Sequence, residues 1–146
     1  MGTKLIHYRK IIFLLLGMLS SSFLAYANEK VCFSKVCVDA QVAQDMSALI
    51  HGMNSKESIK ENEGMLYVLP PLSPASFTTK GMQFPIDIIW IDENKKVIVM
   101  ARNLEPCLEE ACPLYVPPNG YAPYVLEVNA GFSKANDIKV GDHVKF

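Results

Sequence analysis

The stretch FPIDIIWIDENKKVIVMA, Phe84 to Ala101, decides the fold. Its two halves, PIDIIWID and KKVIVMA, are rich in β-branched residues and meet at Glu93-Asn94, a polar turn. They read as two antiparallel strands of a hairpin, with Trp90 and the isoleucines supplying core. One residue breaks the apolar run. Asp87 sits inside FPIDIIWI, where a lone carboxylate is costly unless it is paired or hydrogen-bonded.

Outward from the hairpin the pattern stays mostly β. Upstream, GMLYVLPPL is a strand stopped by Pro70-Pro71, and PASFTT is a short extended piece. Before them a first hairpin occupies about Lys30 to Gln41. Asp45 is placed to cap a short helix through MSALIHGM, where Met46, Leu49, Ile50 and Met53 recur at helical spacing. The charged NSKESIKENE is a surface connection. Downstream, Asn103 to Pro123 holds five of the nine prolines and forms a long connection. YVLEVNAG is a further strand, in which Glu127 alternates with Leu126 and Val128 and so is expected to face solvent or to partner Lys80. Phe132 to Asn136 is a turn of helix, and IKVGDHVKF is a closing strand. The expected fold is α+β, mainly β: an antiparallel sheet curled into a small barrel or half-barrel with one or two short helices.

The amino terminus speaks for export. Lys4, Arg9 and Lys10 precede an unbroken apolar run from Ile11 to Leu19, and Ala25-Tyr26-Ala27 has the small-x-small form of a cleavage site. Nine apolar residues are too few for a spanning helix, which needs about 20. The expected organisation is a signal peptide over 1–27 and one β-rich domain over 28–146, periplasmic or secreted, with no membrane anchor after cleavage. Those three basic residues leave with the leader and none of the 15 acids does, so the mature chain carries a net charge of −4. A mildly acidic chain without a basic run argues against nucleic acid as partner.

All four cysteines lie beyond the cleavage point, and an even count in a small exported domain reads first as disulfides. If Ser34-Lys35 forms the tip of the first hairpin, Cys32 falls directly opposite Cys37 in a non-hydrogen-bonded pair, close enough to bridge. Cys107 and Cys112 would likewise close a small loop. Two C-x4-C arms could instead hold zinc, although two intervening residues is the commoner knuckle and oxidation competes. Neither pair has the C-x-x-C form of a redox site.

The order of motifs HGMNSKESIKENEGMLYVL, KGMQFPIDIIWID, YAPYVLEVNAG and IKVGDHV resembles the family known as domain of unknown function 192. The resemblance covers roughly Val36 to Phe146. It implies a compact, β-rich single domain, frequently exported, with no established reaction. Gly52-Met53-Asn54 stands where the family has a Gly-Leu-Met run, and Lys80-Gly81-Met82 where it has Lys-Asn-Thr. Thr78 takes the place of an aromatic residue. The Cys112-Pro113-Leu114-Tyr115 segment also looks like the family's and favours the local Cys107–Cys112 bridge.

Beyond the cysteines, chemistry-bearing residues are few. Asp87 is read first as a buried acid satisfied by Lys80, Arg102 or backbone amides, and alternatively as the carboxylate of a small envelope hydrolase or lyase working with Lys80. Tyr115, Tyr121 and Tyr124, with Lys80, are candidates for gripping an unidentified protein, peptide or glycan partner. His51 and His143 lie in different motifs without metal-ligand spacing, and no serine sits in a G-x-S-x-G elbow, so neither a metal nor another cofactor is expected. The favoured function is an exported, noncatalytic binding or accessory module of the cell envelope.

Overall fold

A computed structural model describes residues 27–146. The leader expected over 1–27 therefore lies outside the described residues, apart from Ala27. Six strands, β1 (Asn28–Cys32), β2 (Cys37–Ala43), β3 (Glu63–Val68), β4 (Ile86–Ile91), β5 (Val97–Leu104) and β6 (Tyr124–Asn129), form one sheet in the order β1-β2-β3-β6-β4-β5. Two short helices, α1 (Met46–His51) and α2 (Phe132–Ala135), and a 3-10 turn (Gly52–Ser55) complete the elements.

The hairpin at Phe84–Ala101 forms as its composition demands. β4 pairs antiparallel with β5, and the turn closes with the Lys95 amide donating to the Asp92 carbonyl at 3.1 Å. The Asp92 carboxylate accepts from the Asn94 and Lys96 amides, which fixes the turn at Glu93-Asn94. Every residue of β4 is buried, and β3 and β6 are buried except at their ends. These three central strands are therefore covered on both faces.

Each face has its own core. On one, Val31, Val38, Leu66, Ile89, Leu126 and Val128 pack beneath Phe132 of α2 and Val144 of the C-terminal segment. On the other, Met65, Tyr67, Ile88, Trp90 and Val125 lie under Ala48 of α1, Met53 of the 3-10 turn and Ala75. The Trp90 indole donates to the Ala75 carbonyl at 2.9 Å and so holds the 69–78 connection onto this second face. Asp45 caps α1 as expected, accepting from the Ala48 amide.

Two expectations are corrected. The sheet is mixed rather than antiparallel, because β2 and β3 run parallel. Residues 44–62, with α1 and the 3-10 turn, supply the long crossover that a parallel pair requires. Nor is the sheet closed into a barrel. The C-terminal segment makes only isolated bridges, Lys96↔His143 beside β5 and Cys32↔Lys145 beside β1, instead of the closing strand expected from IKVGDHVKF. Gly141 at φ +94° and a turn carried by Asp142 break that segment before it can form a ladder.

Candidate functional site

Asp87 is fully buried and saturated with donors. One oxygen accepts from the Asn103 and Gly131 amides at 2.8 and 3.1 Å. The other accepts from the Ser133 amide at 3.0 Å and the Ser133 hydroxyl at 2.6 Å. Arg102 stands one step behind, donating from Nε to Ser133 Oγ at 2.9 Å and from a terminal nitrogen to the Ile138 carbonyl. A single carboxylate thus ties β4 to the end of β5 and to α2. Lys80 is elsewhere: its ammonium donates to the Glu110 carbonyl at 2.9 Å on the exposed cysteine loop. Among the described residues Lys80 forms no ion pair, so the hydrolase reading is left without its pair.

The three tyrosines do not converge. Tyr115 pairs through its backbone with Phe77 and packs into the second core. Tyr124 packs on Phe146 at the other face, with the Lys95 ammonium 3.3 Å from its ring centre. Tyr121 is exposed. Both cysteine pairs are at disulfide distance, Cys32 with Cys37 and Cys107 with Cys112, at Cα separations of 4.0 and 5.9 Å. Among the described residues no three His, Cys, Asp or Glu side chains group as a metal site. His51 Nδ1 is tied to the Ser47 carbonyl at 2.8 Å.

A different pair of residues stands out. Glu127, expected at the surface or beside Lys80, is 3 % exposed and accepts a 2.6 Å hydrogen bond from the Tyr67 hydroxyl. The ladder explains why. Glu127 lies between Met65 of β3 and Ile88 of β4, on a central strand with no wet face. Burial pushes its carboxyl up to about 7, against the pull of the Tyr67 hydrogen bond. Burial, reinforced by the Glu127 charge, pushes the Tyr67 phenol well above its usual range. The signal in the sequence was YVLEVN itself: a strand apolar on both alternating sets is one buried on both faces, and an acid within it is enclosed.

Tyr67 leads outward to a groove of about 320 Å³ between α1 and the 69–78 connection. Leu49, Leu69, Pro74 and Phe77 line it, with Met46 and Ile50 on its rim at 70 % and 66 % exposure. Gly52, at φ +48°, closes α1 where a β-carbon would collide with the Tyr67 hydroxyl. Phe77 meets the Tyr67 ring edge-on at 4.8 Å between centres.

Among solved structures, a protein of unknown function from Novosphingobium aromaticivorans DSM 12444 is similar over 86% of this chain and 89% of its own, with a TM-score of 0.74 and 22% identity. A protein from Sinorhizobium meliloti 1021, provisionally described as a transcription regulator, is similar over 84% and 95%, with a TM-score of 0.72 and 24% identity. At these identities the likeness is one of fold. No curated protein matches the chain. The model of the DUF192 family, described as "Uncharacterized ACR", matches residues 29–146, which takes in all of the sheet but Asn28, and both helices. The chain belongs to the DUF192 family.

Proposed function

We propose that the protein is an exported, noncatalytic binding module of the cell envelope, and that its ligand face is the groove between α1 and the 69–78 connection. The observation that carries this reading is the make-up of the groove, whose apolar walls, Leu49, Leu69, Pro74 and Phe77, are punctuated by the polar side chains of Asn54, Ser73, Ser76 and Thr78. Pockets of this kind, apolar with few placed polar groups, are the usual form of ligand sites. Export is supported by the leader-like amino terminus and by the two cysteine pairs, which suit an oxidising compartment. Among the described residues no helix is long and apolar enough to cross a membrane. The regulator description of the Sinorhizobium protein finds no support in the charge of this chain, whose acidic balance and lack of a basic run do not suit a phosphate backbone.

The test is amide chemical-shift mapping of the secreted protein against a set of small apolar and amphiphilic compounds. Shifts clustering at residues 46–54 and 67–78 support the reading. Shifts clustering in the 105–121 loop, around Tyr115 and Tyr121, would move the binding face there.

A further inference from the structure

An open sheet has two edges, and each edge strand presents backbone groups that lack a partner. β1 is blunted at its edge: Glu29 and Lys30 are exposed, and Cys32 exchanges both backbone bonds with Lys145 at 2.9 Å. β5, at the other edge, is eight residues long and apolar over Val97 to Ala101. Its start is covered, since the Val97 amide donates to the Asp142 carbonyl at 3.0 Å and the Val97 carbonyl accepts from the Gly141 amide at 2.8 Å. Beyond that point, no residue from Ile98 to Leu104 has a backbone–backbone hydrogen bond to anything but β4 among the described residues.

The ladder tells which groups are free. The Ala130 amide donates to the Pro85 carbonyl at 3.1 Å, one step before the Ile86↔Asn129 pair, so Pro85 and every second residue after it turn toward β6. Ile88 and Trp90 therefore bond to β5, at Ala101 and Val99, and Met100 between those two turns its amide and carbonyl away from the sheet. The side chains beside this edge sort by face. Ile98, Val99, Ala101 and Leu104 lie half-buried at the margin of the second core, and Met100 at the margin of the first. Val140, 62 % exposed, flanks the Gly141 pairing at the covered end. Lys95, Lys96 and Arg102 lie between positions 95 and 104, and no acid does. Arg102 donates to neutral groups on the first face, Ser133 Oγ and the Ile138 carbonyl, and forms no ion pair among the described residues.

We propose that the β5 edge binds an extended peptide by strand addition, one with apolar side chains at alternate positions and carboxylates between them. The peptide backbone answers the Met100 amide and carbonyl, its apolar residues lie beside Val99 and Ala101 on the second face, and a carboxylate on the first face meets Arg102. A second copy of the chain suits this edge less well, because β5 paired antiparallel with itself about Met100 sets Arg102 diagonal to Lys96 of that copy, like charge against like. No residue of β5 lines the groove, so this surface is separate from it.

The experiment titrates the secreted protein with the blocked peptide acetyl-Glu-Val-Glu-Val-Glu-Val-Glu-amide, followed by amide shift mapping and hydrogen exchange. Shifts are expected at residues 98–104. The outward Met100 amide should exchange about tenfold or more slowly with peptide bound, while the Val99 and Ala101 amides, already in the ladder, keep their rates. The same peptide N-methylated at its glutamates keeps every side chain but loses the donors that face Met100, and should bind about tenfold or more weakly. Lysine in place of glutamate should cost a similar factor at low salt. Met100→Pro removes the outward amide and leaves the bonds to β4, so it too should weaken binding; if that variant does not fold, the N-methylated peptide decides on the wild-type chain. Equal binding of the N-methylated and parent peptides would overturn the proposal. So would shifts outside 98–104, and those at 46–54 and 67–78 would move the peptide to the groove. A dimer in sedimentation, with the Met100 amide already slow in the absence of peptide, would replace the peptide by a second copy.

Discussion

Two acids separate at the residue scale. Asp87 and Glu127 are both enclosed by the sheet, and their hydrogen-bond partners assign them opposite parts. Asp87 holds three elements together, so Asp87→Ala is expected to cost about 3 kcal/mol or more, because each buried donor left without an acceptor costs about 1–3 kcal/mol. Urea denaturation midpoints check this, and a midpoint within error of wild type would show that the donors find other acceptors. The need for partners at Asp87 was legible in FPIDIIWI, but their identity was not. Gly131 and Ser133 lie 44 and 46 residues away and reach Asp87 only because β6 docks beside β4. Glu127 was misread for a related reason. Alternation marks a wet face only where a sheet has one, and its second face is covered here by α1 and the 69–78 connection.

At the scale of elements, the hairpins were the legible part. The Ser34-Lys35 and Glu93-Asn94 turns carry their own local chemistry, and Cys32 pairs with Cys37 in the register that the first turn dictates. The parallel β2–β3 pair was not legible, since a parallel partner is chosen by packing of the crossover and not by local pattern. The C-terminal segment misled in the opposite sense: IKVGDHVKF has strand composition, but its glycine and Asp142 turn reduce it to two bridges. The 105–115 loop is held by the Cys107 amide to the Thr79 carbonyl and by the Tyr115–Phe77 pairing. Cys107→Ser with Cys112→Ser should fold, losing less than the roughly 3 kcal/mol of a 15-residue crosslinked loop. Hydrogen exchange should quicken at Cys107 and Tyr115 and leave the amides of β4 and β6 unchanged. Faster exchange in β4 would mean that the bridge supports the sheet itself.

For the molecule as a whole, the buried Tyr67–Glu127 pair sets a pH dependence. The folded chain holds the Glu127 proton more tightly than the unfolded chain, since the carboxyl rises from 4.5 to about 7 on folding. Stability contributed by that proton is therefore full below about pH 4.5, declines as pH rises to about 7 and is flat above. The shift corresponds to about 3 kcal/mol at most, at about 1.4 kcal/mol per pKa unit. Denaturant midpoints at pH 5 and pH 8 should thus differ less in Glu127→Gln than in the wild type, and an equal difference in both would remove Glu127 from the account. Export makes a separate prediction, that amino-terminal sequencing of the secreted protein begins at Asn28, where β1 begins. An intact Met1 on membrane-bound protein would contradict it.

The most direct test of the central claim, that Glu127 is an enclosed carboxyl held by the Tyr67 hydroxyl within the central sheet, is its ionisation in the folded protein. Infrared difference spectra of wild type against Glu127→Gln, followed through the protonated-carboxyl band, read that group alone. The account predicts a band still present at pH 6 with a midpoint of about 7. A carboxyl already ionised at pH 5 would contradict it.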